Sequence, residues 1–268
     1  MVETVLAPAK LTLSLRITGV RNDGNHLIDA EMASLSLYDT LLIESSGGGL
    51  SATGRYAVGM PLDDSNLVAK ALRLVRRTAH VSIAKQIPHG GGLGGGSSDA
   101  AAVLRWAGFT DLEAASRLGA DVSFCLIGGR SRVRGIGECV DPLPFVEQLI
   151  TLVIPPLTVS TPAAYRCWDE LGGPTAEGSN DLEPAAIRLV PELADWRDRI
   201  AQACGQIPVL AGSGATWFVY GEHSNALAAL SNEGAEIIAA RTVRSAADGS
   251  EDRPAEVGNG SPGSRTVD

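Results

Sequence analysis

The stretch Ile87 to Ala101, IPHGGGLGGGSSDAA, limits what this chain can become more than any other. Six of the seven residues from Gly90 to Gly96 are glycine, and an Ala- and Leu-rich segment runs on to Trp106. Glycine permits positive φ and lets another group approach the backbone closely. The β-prone segment Val81 to Ile87 precedes the run, so the order reads strand, glycine loop, helix. The start of a helix presents unpaired N–H groups at the positive end of its dipole, and a glycine loop before it exposes more of them. That is an anion site, and phosphate is the common biological anion. Ser97 and Ser98 add hydroxyls at the helix entrance. The rival reading is a flexible linker, which would not normally run straight into an Ala-rich helix.

Around this loop the patterning is mixed. Lys10 to Thr18 (KLTLSLRIT) alternates apolar and polar residues with the period of a half-buried strand, and a polar turn follows at Arg21 to His26. A second strand is expected through Met32 to Glu44. Ser65 reads as the N-cap of a helix whose face is Leu67, Val68, Ala71, Leu72 and Val75. Thr110 with Glu113 fits a capping box for a helix ending at Gly119. In the second half, strands are expected at Leu149 to Ile154 and Glu236 to Val243, with a pair of short strands at Val209 to Tyr220 broken at Gly212-Ser213-Gly214. Helices are expected at Thr161 to Leu171, Asp181 to Gln202 and Ser224 to Ser231. Strands and helices mixing in both halves indicate an α+β fold of two domains, at residues 1–144 and 145–244. The remainder, 245–268, is rich in Gly, Ser, Pro, Asp and Arg and reads as a disordered tail.

Composition narrows the function classes. A net charge of −9 argues against nucleic acid or an anionic membrane as partner, while leaving room for a local basic pocket. No apolar stretch approaches the ~20 residues of a membrane span, and no basic, apolar-cored leader opens the chain, so a cytoplasmic location is expected. The four cysteines form no CxxC pair and read as reduced and mostly buried. His80, His89 and His223 have no evident partners and read as surface residues.

Which phosphate loop is this? The Walker A pattern needs a Lys before the Ser, and none precedes Ser97. A GxGxxG match at Gly90, Gly92 and Gly95 is nearly forced by so many glycines. The acidic residues about 20 positions on, Asp111 and Glu113, read as helix-start residues rather than a ribose ligand. The stretch instead resembles the loop of the GHMP small-molecule kinases: Pro88, Gly92-Leu93-Gly94, Gly96-Ser97-Ser98 and Ala100 fit its pattern. Pro8-Ala9-Lys10-Leu11 resembles that family's first motif, and Gly212-Ser213-Gly214-Ala215-Thr216 its third. The likeness continues through Ala7 to Lys10, Asp23-Gly24 with His26, Leu118 to Val122, Gly135 to Glu138 and Asn180-Asp181-Leu182-Glu183-Pro184. These resemble, within the family, the kinases of a cytidine-diphosphate-linked polyol in the non-mevalonate isoprenoid pathway.

The resemblance implies the two-domain GHMP fold, with an N-terminal ATP-binding α+β domain and a C-terminal ferredoxin-like one. It implies ATP with Mg²⁺ as cofactors, metal ligands unassigned, and a monomer or weak homodimer. Pro88, Gly90, Gly91, Gly92, Leu93, Gly94, Gly95, Gly96, Ser97 and Ser98 would form the ATP cradle, with N–H groups from Gly91 to Ser98. Asp121 matches the family's proton acceptor and Lys10 its partner, whose ammonium would steady a charged transition state. His26 is in register to read the edge of the cytosine and Tyr165 to stack on it. Two positions depart from the pattern. The family's usual Tyr before the motif His is Asn25, and its usual Asn two residues after the motif Lys is Thr12. The two substitutions leave open a kinase of another small alcohol. A non-catalytic nucleotide-binding relative is the further alternative, against which the pairing of Lys10 with Asp121 speaks.

Overall fold

A computed structural model describes residues 1–245; the tail expected beyond Ser245 lies outside the described residues. Two long strands, β1 (Val2–Val20) and β2 (His26–Glu44), pair antiparallel and join through residues 21–25, within the polar turn expected at Arg21 to His26. The alternation seen at Lys10 to Thr18 is the middle of β1, where Leu11, Leu13 and Leu15 are buried. Three further elements follow: β3 (Gly49–Thr53), α1 (Leu67–Leu74) and β4 (His80–Ala84). The first sheet runs β3-β4-β2-β5-β6 with β1 also on β2, where β5 is Arg130–Gly135 and β6 Cys139–Pro142. Three helices lie between β4 and β5: α2 (Gly95–Trp106), α3 (Leu112–Ser116) and α4 (Val122–Ile127). Helix α2 is buried along Ala100 to Leu104 and packs with α1, α4 and the sheet into one apolar cluster.

The second sheet is antiparallel, in the order β10-β7-β9-β8. Its strands are β7 (Leu149–Ile154), β8 (Val209–Leu210), β9 (Trp217–Tyr220) and β10 (Glu236–Arg241). Between β7 and β8 come α5 (Thr161–Glu170), α6 (Glu183–Leu189) and α7 (Glu192–Cys204); α8 (Ser224–Leu227) and a 3₁₀ turn at 228–233 precede β10. This βαββαβ order with strand sequence 4-1-3-2 is ferredoxin-like, so the fold is the α+β architecture of two sheets. The sheets meet through a third apolar cluster that includes Ala9, Leu11, Leu35, Ile87, Leu93, Leu152 and Phe218. Leu93, inside the glycine loop, is therefore an anchor driven into the seam.

Several local readings are corrected. The cap of α1 is Asn66, whose Oδ1 accepts from Val68 N–H at 2.8 Å, because the Ser65 hydroxyl is taken by Asp63 at 2.5 Å. The cap of α3 is Asp111 rather than Thr110, accepting from Ala114 N–H at 3.0 Å, and that helix stops at Ser116. The single helix expected at Asp181 to Gln202 is two, parted at Val190-Pro191. None of the three histidines read as unpartnered is so. His80 contacts Ser51 Oγ at 3.2 Å, His89 the Tyr56 carbonyl, and His223 Gln206 at 2.9 Å. All four cysteines are free thiols, but only Cys125 and Cys167 are buried.

Candidate active site

Helix α2 begins at Gly95, two residues earlier than the sequence suggests, with Gly94 as its N-cap in the left-handed conformation (φ 67°). A side chain at 94 would be strained by that φ, and its Cβ would stand 3.2 Å from Lys10 Cβ. At Gly92 a Cβ would collide with the Ala211 carbonyl oxygen of the second glycine turn. The loop is thus glycine because backbone passes backbone there. Among the described residues the N–H groups of Gly91 through Ser97 have no acceptor. Ser98 is a correction: its N–H donates to Gly94 O at 2.8 Å as the first bond of the helix, and its buried hydroxyl donates to Pro8 O at 2.6 Å. The run of unpaired N–H groups therefore ends at Ser97. Pro88 and Leu93 are buried beneath it as anchors.

Just after a bulge in β1, Lys10 pairs with Ser34 and its outward N–H donates to Leu93 O at 2.9 Å. The Lys10 ammonium is almost wholly buried, lies 3.0 Å from Asp121 Oδ2 and donates to Thr12 Oγ1 at 3.3 Å. Asp121 occupies the N-cap position of α4 but makes no side-chain capping bond. Its carboxylate is given to Lys10 and the cleft. Gly212 closes the other side: a Cβ there would lie 3.7 Å from Thr12 Oγ1. Asn180 holds that second turn by donating to Leu210 O and Gly212 O at 2.9 and 2.6 Å. Asp181, next in the same motif, accepts from Arg16 at 2.7 Å and from Ile17 N–H at 2.9 Å, bracing β1. Beneath the loop, the buried Thr216 hydroxyl has no partner among the described residues.

A cleft of about 480 Å³ brings together Lys10, Thr12, Asn25, His26, Gly92, Asp121 and Tyr165. At its far end the His26 ring lies on Tyr165, with centroids 4.7 Å apart and planes at 36°. The two rings are in contact, so no flat group fits between them. Asn25 is exposed on the turn at the rim. Burial, with Asp121 adding to it, pushes the Tyr165 hydroxyl up to about 12, so it is a neutral donor at physiological pH.

Three participants escaped the sequence reading. Trp168 meets His26 edge-on at 5.7 Å, and Asp169 Oδ1 lies 2.8 Å from His26 Nε2. Asp169 stands four residues after Tyr165 on α5, hence on the same helix face, and that spacing was a usable signal. The third, a buried cluster of Lys85, Asp39 and Asp99, left no such signal. Among the described residues no three His, Cys, Asp or Glu side chains gather into a metal cage.

The chain is similar to known proteins at the level of family, sequence and fold. Residues 66–129 match the family described as "GHMP kinases N terminal domain". The 4-diphosphocytidyl-2-C-methyl-D-erythritol kinase of Paracoccus denitrificans is 39% identical over 235 residues, covering 79% of this chain and 84% of that one. A protein of the same name from Cereibacter sphaeroides is 36% identical over 241 residues, covering 79% and 87%. A crystal structure of 4-(cytidine 5′-diphospho)-2C-methyl-D-erythritol kinase superimposes with a TM-score of 0.74 at 32% identity, covering 90% of this chain and 99% of that one.

Proposed function

Since the chain belongs to the 4-diphosphocytidyl-2-C-methyl-D-erythritol kinases of the GHMP family, we propose that Asp121 and Lys10 carry its reaction. That reaction is the ATP-dependent phosphorylation of a hydroxyl of 4-diphosphocytidyl-2-C-methyl-D-erythritol, a step of non-mevalonate isoprenoid synthesis. The observation that carries the assignment is the 3.0 Å pair of Lys10 and Asp121 on the cleft wall, directly beside Gly94 of the loop.

Phosphoryl transfer asks the protein for a cradle, compensation of developing charge and an oriented alcohol. The N–H groups of Gly91 to Ser97 and the start of α2 hold phosphate oxygens. Asp121 takes the proton from the acceptor hydroxyl through the oxygen not engaged by Lys10, and the Lys10 ammonium faces the charge that builds on the transferring group. Thr12, bonded to Lys10, fixes the ammonium from the strand side. His26 and Tyr165 receive the cytosine on the outer face of their stack, with Asn25 at the rim. Mg²⁺ belongs with the phosphates of ATP, where it would neutralise their charge. This reading puts the nucleotide on residues 1–144 and the base-side helix α5 in residues 145–244. It carries with it a cytoplasmic enzyme, monomeric or weakly dimeric, with a small molecule as its partner.

Radiolabelled ATP offered with the cytidyl substrate, mevalonate, homoserine and galactose tests the function. Label should pass to the cytidyl compound and require Mg²⁺. Preferred transfer to another alcohol would overturn the substrate.

A further inference from the structure

The chemistry above leaves a buried cluster of ionisable groups under the glycine loop unused. Lys85 follows β4 and is 1% exposed; Asp39 on β2 is fully buried and Asp99 on α2 is 2% exposed. The Lys85 ammonium forms a close ion pair with Asp39 Oδ2 and lies 2.7 Å from Asp99 Oδ2. The other oxygen of Asp39 accepts from Gln86 and Ile87 N–H at 2.5 and 2.9 Å. Those two residues lead into Pro88 and the loop, and Asp99 is the fifth residue of the helix leading out. One ammonium therefore links the incoming strand to the outgoing helix. It also sits directly beneath the first helical residue, since a Cβ at Gly95 would be 3.3 Å from Lys85 Nζ.

Burying three ionisable groups is poor economy if only cohesion is needed, because well-packed apolar side chains of similar volume often hold a core as well or better. What charged groups add is direction: their hydrogen bonds fix distances and angles. We propose that Lys85 and Asp99 are positioning residues that set the span between the two ends of the glycine loop and so aim its N–H groups at the nucleotide phosphates. The proposal rests on the kinase reading for the identity of the ligand. Asp99 Oδ1 has no partner among the described residues, and burial pushes this carboxyl up to about 7, against the pull of Lys85 and with the push of Asp39. An asparagine at 99 is neutral and still able to accept from Lys85, so it keeps the tie without the charge.

The test compares the full-length protein with Asp99→Ala and Asp99→Asn, measuring the affinity of a non-hydrolysable ATP analogue by calorimetry and KM for each substrate. Asp99→Ala should weaken nucleotide binding about tenfold or more, the scale of one lost charge-assisted hydrogen bond, with KM for the acceptor unchanged. Asp99→Asn should return affinity to within about threefold of wild type, because its amide oxygen keeps the tie. A merely structural role would lower thermal stability and leave both KM values alone, and that outcome overturns the proposal. So does a parallel rise in both. If Asp99→Ala does not fold, Asp99→Ser, polar but too short to reach Lys85, takes its place; failure of both assigns the cluster to stability and overturns the proposal. Binding needs no turnover, so the two readings part cleanly. A wild type that binds nucleotide without phosphorylating the cytidyl compound defeats the function and leaves this test running, while normal binding by an active Asp99→Ala defeats only the positioning role.

Discussion

The glycine-loop end of the cleft is lined by main-chain N–H groups and an almost wholly buried lysine, whereas the end at His26 is lined by side chains on a turn and on one face of a helix. At the first end the surface turned to the cleft is the backbone itself. Gly92 passes under Ala211, and Gly94 caps α2 with its α-carbon against Lys10, so any side chain displaces the binding groups themselves. At the second end each contact belongs to a separate residue, and Asn25 is solvent-exposed. A change there alters one contact and leaves the scaffold standing. This explains how Asn25 can differ from the family's usual Tyr while the loop keeps its full complement of glycines.

That contrast can be broken or sharpened by substitution. The largest effect is expected at Asp121: Asp121→Asn should lower kcat by about 10²–10⁴-fold, the range for losing a proton acceptor, with ATP affinity nearly unchanged. Steady-state kinetics with calorimetry of ATP binding checks it, and near-normal turnover would remove Asp121 from the mechanism. Gly94→Val comes next. Its side chain meets Lys10 and an unfavourable φ, and the loss of one or two charge-assisted bonds should weaken ATP binding by about 10–100-fold in a folded protein. Tyr165→Ala removes one stacking surface and should raise KM for the cytidyl substrate about tenfold, within the range for a base on an aromatic ring, without touching KM for ATP. Smallest is Asn25→Tyr, a gain: an added ring at the rim should lower that KM about threefold. An unchanged KM would mean that the base does not pass the rim at residue 25.

How far the sequence reveals this molecule follows the same division. The loop and the pairing of Lys10 with Asp121 were legible because each lies in a short contiguous motif that a strand, a bulge or a helix start holds rigidly. Strand β5 (RSRVRG) was missed although Ser131 and Val133 face inward in proper alternation. Its polar face is a row of arginines whose partners, such as Asp29 and Glu31 on β2, lie far away in sequence. Ser65 misled as a cap because Asp63, two residues back, captures its hydroxyl. The Lys85 cluster assembles residues 46 and 14 positions apart, from β2, α2 and the segment after β4, and only the fold brings them together. The ferredoxin-like half was legible in its strands and helices, yet the break at Pro191 was read through, since Leu193 and Trp196 continue an apolar face beyond it.

On the proposed function, one cleft has two ends that bind independently, one by backbone and one by side chain. The most direct measurement is the affinity of CDP and of a non-hydrolysable ATP analogue for wild type, Gly94→Val and Tyr165→Ala. A crossed pattern is expected, in which Gly94→Val loses the ATP analogue and keeps CDP, while Tyr165→Ala loses CDP and keeps the ATP analogue. Loss of both ligands in either folded variant, or no measurable binding of CDP to the wild type at millimolar concentration, would contradict it.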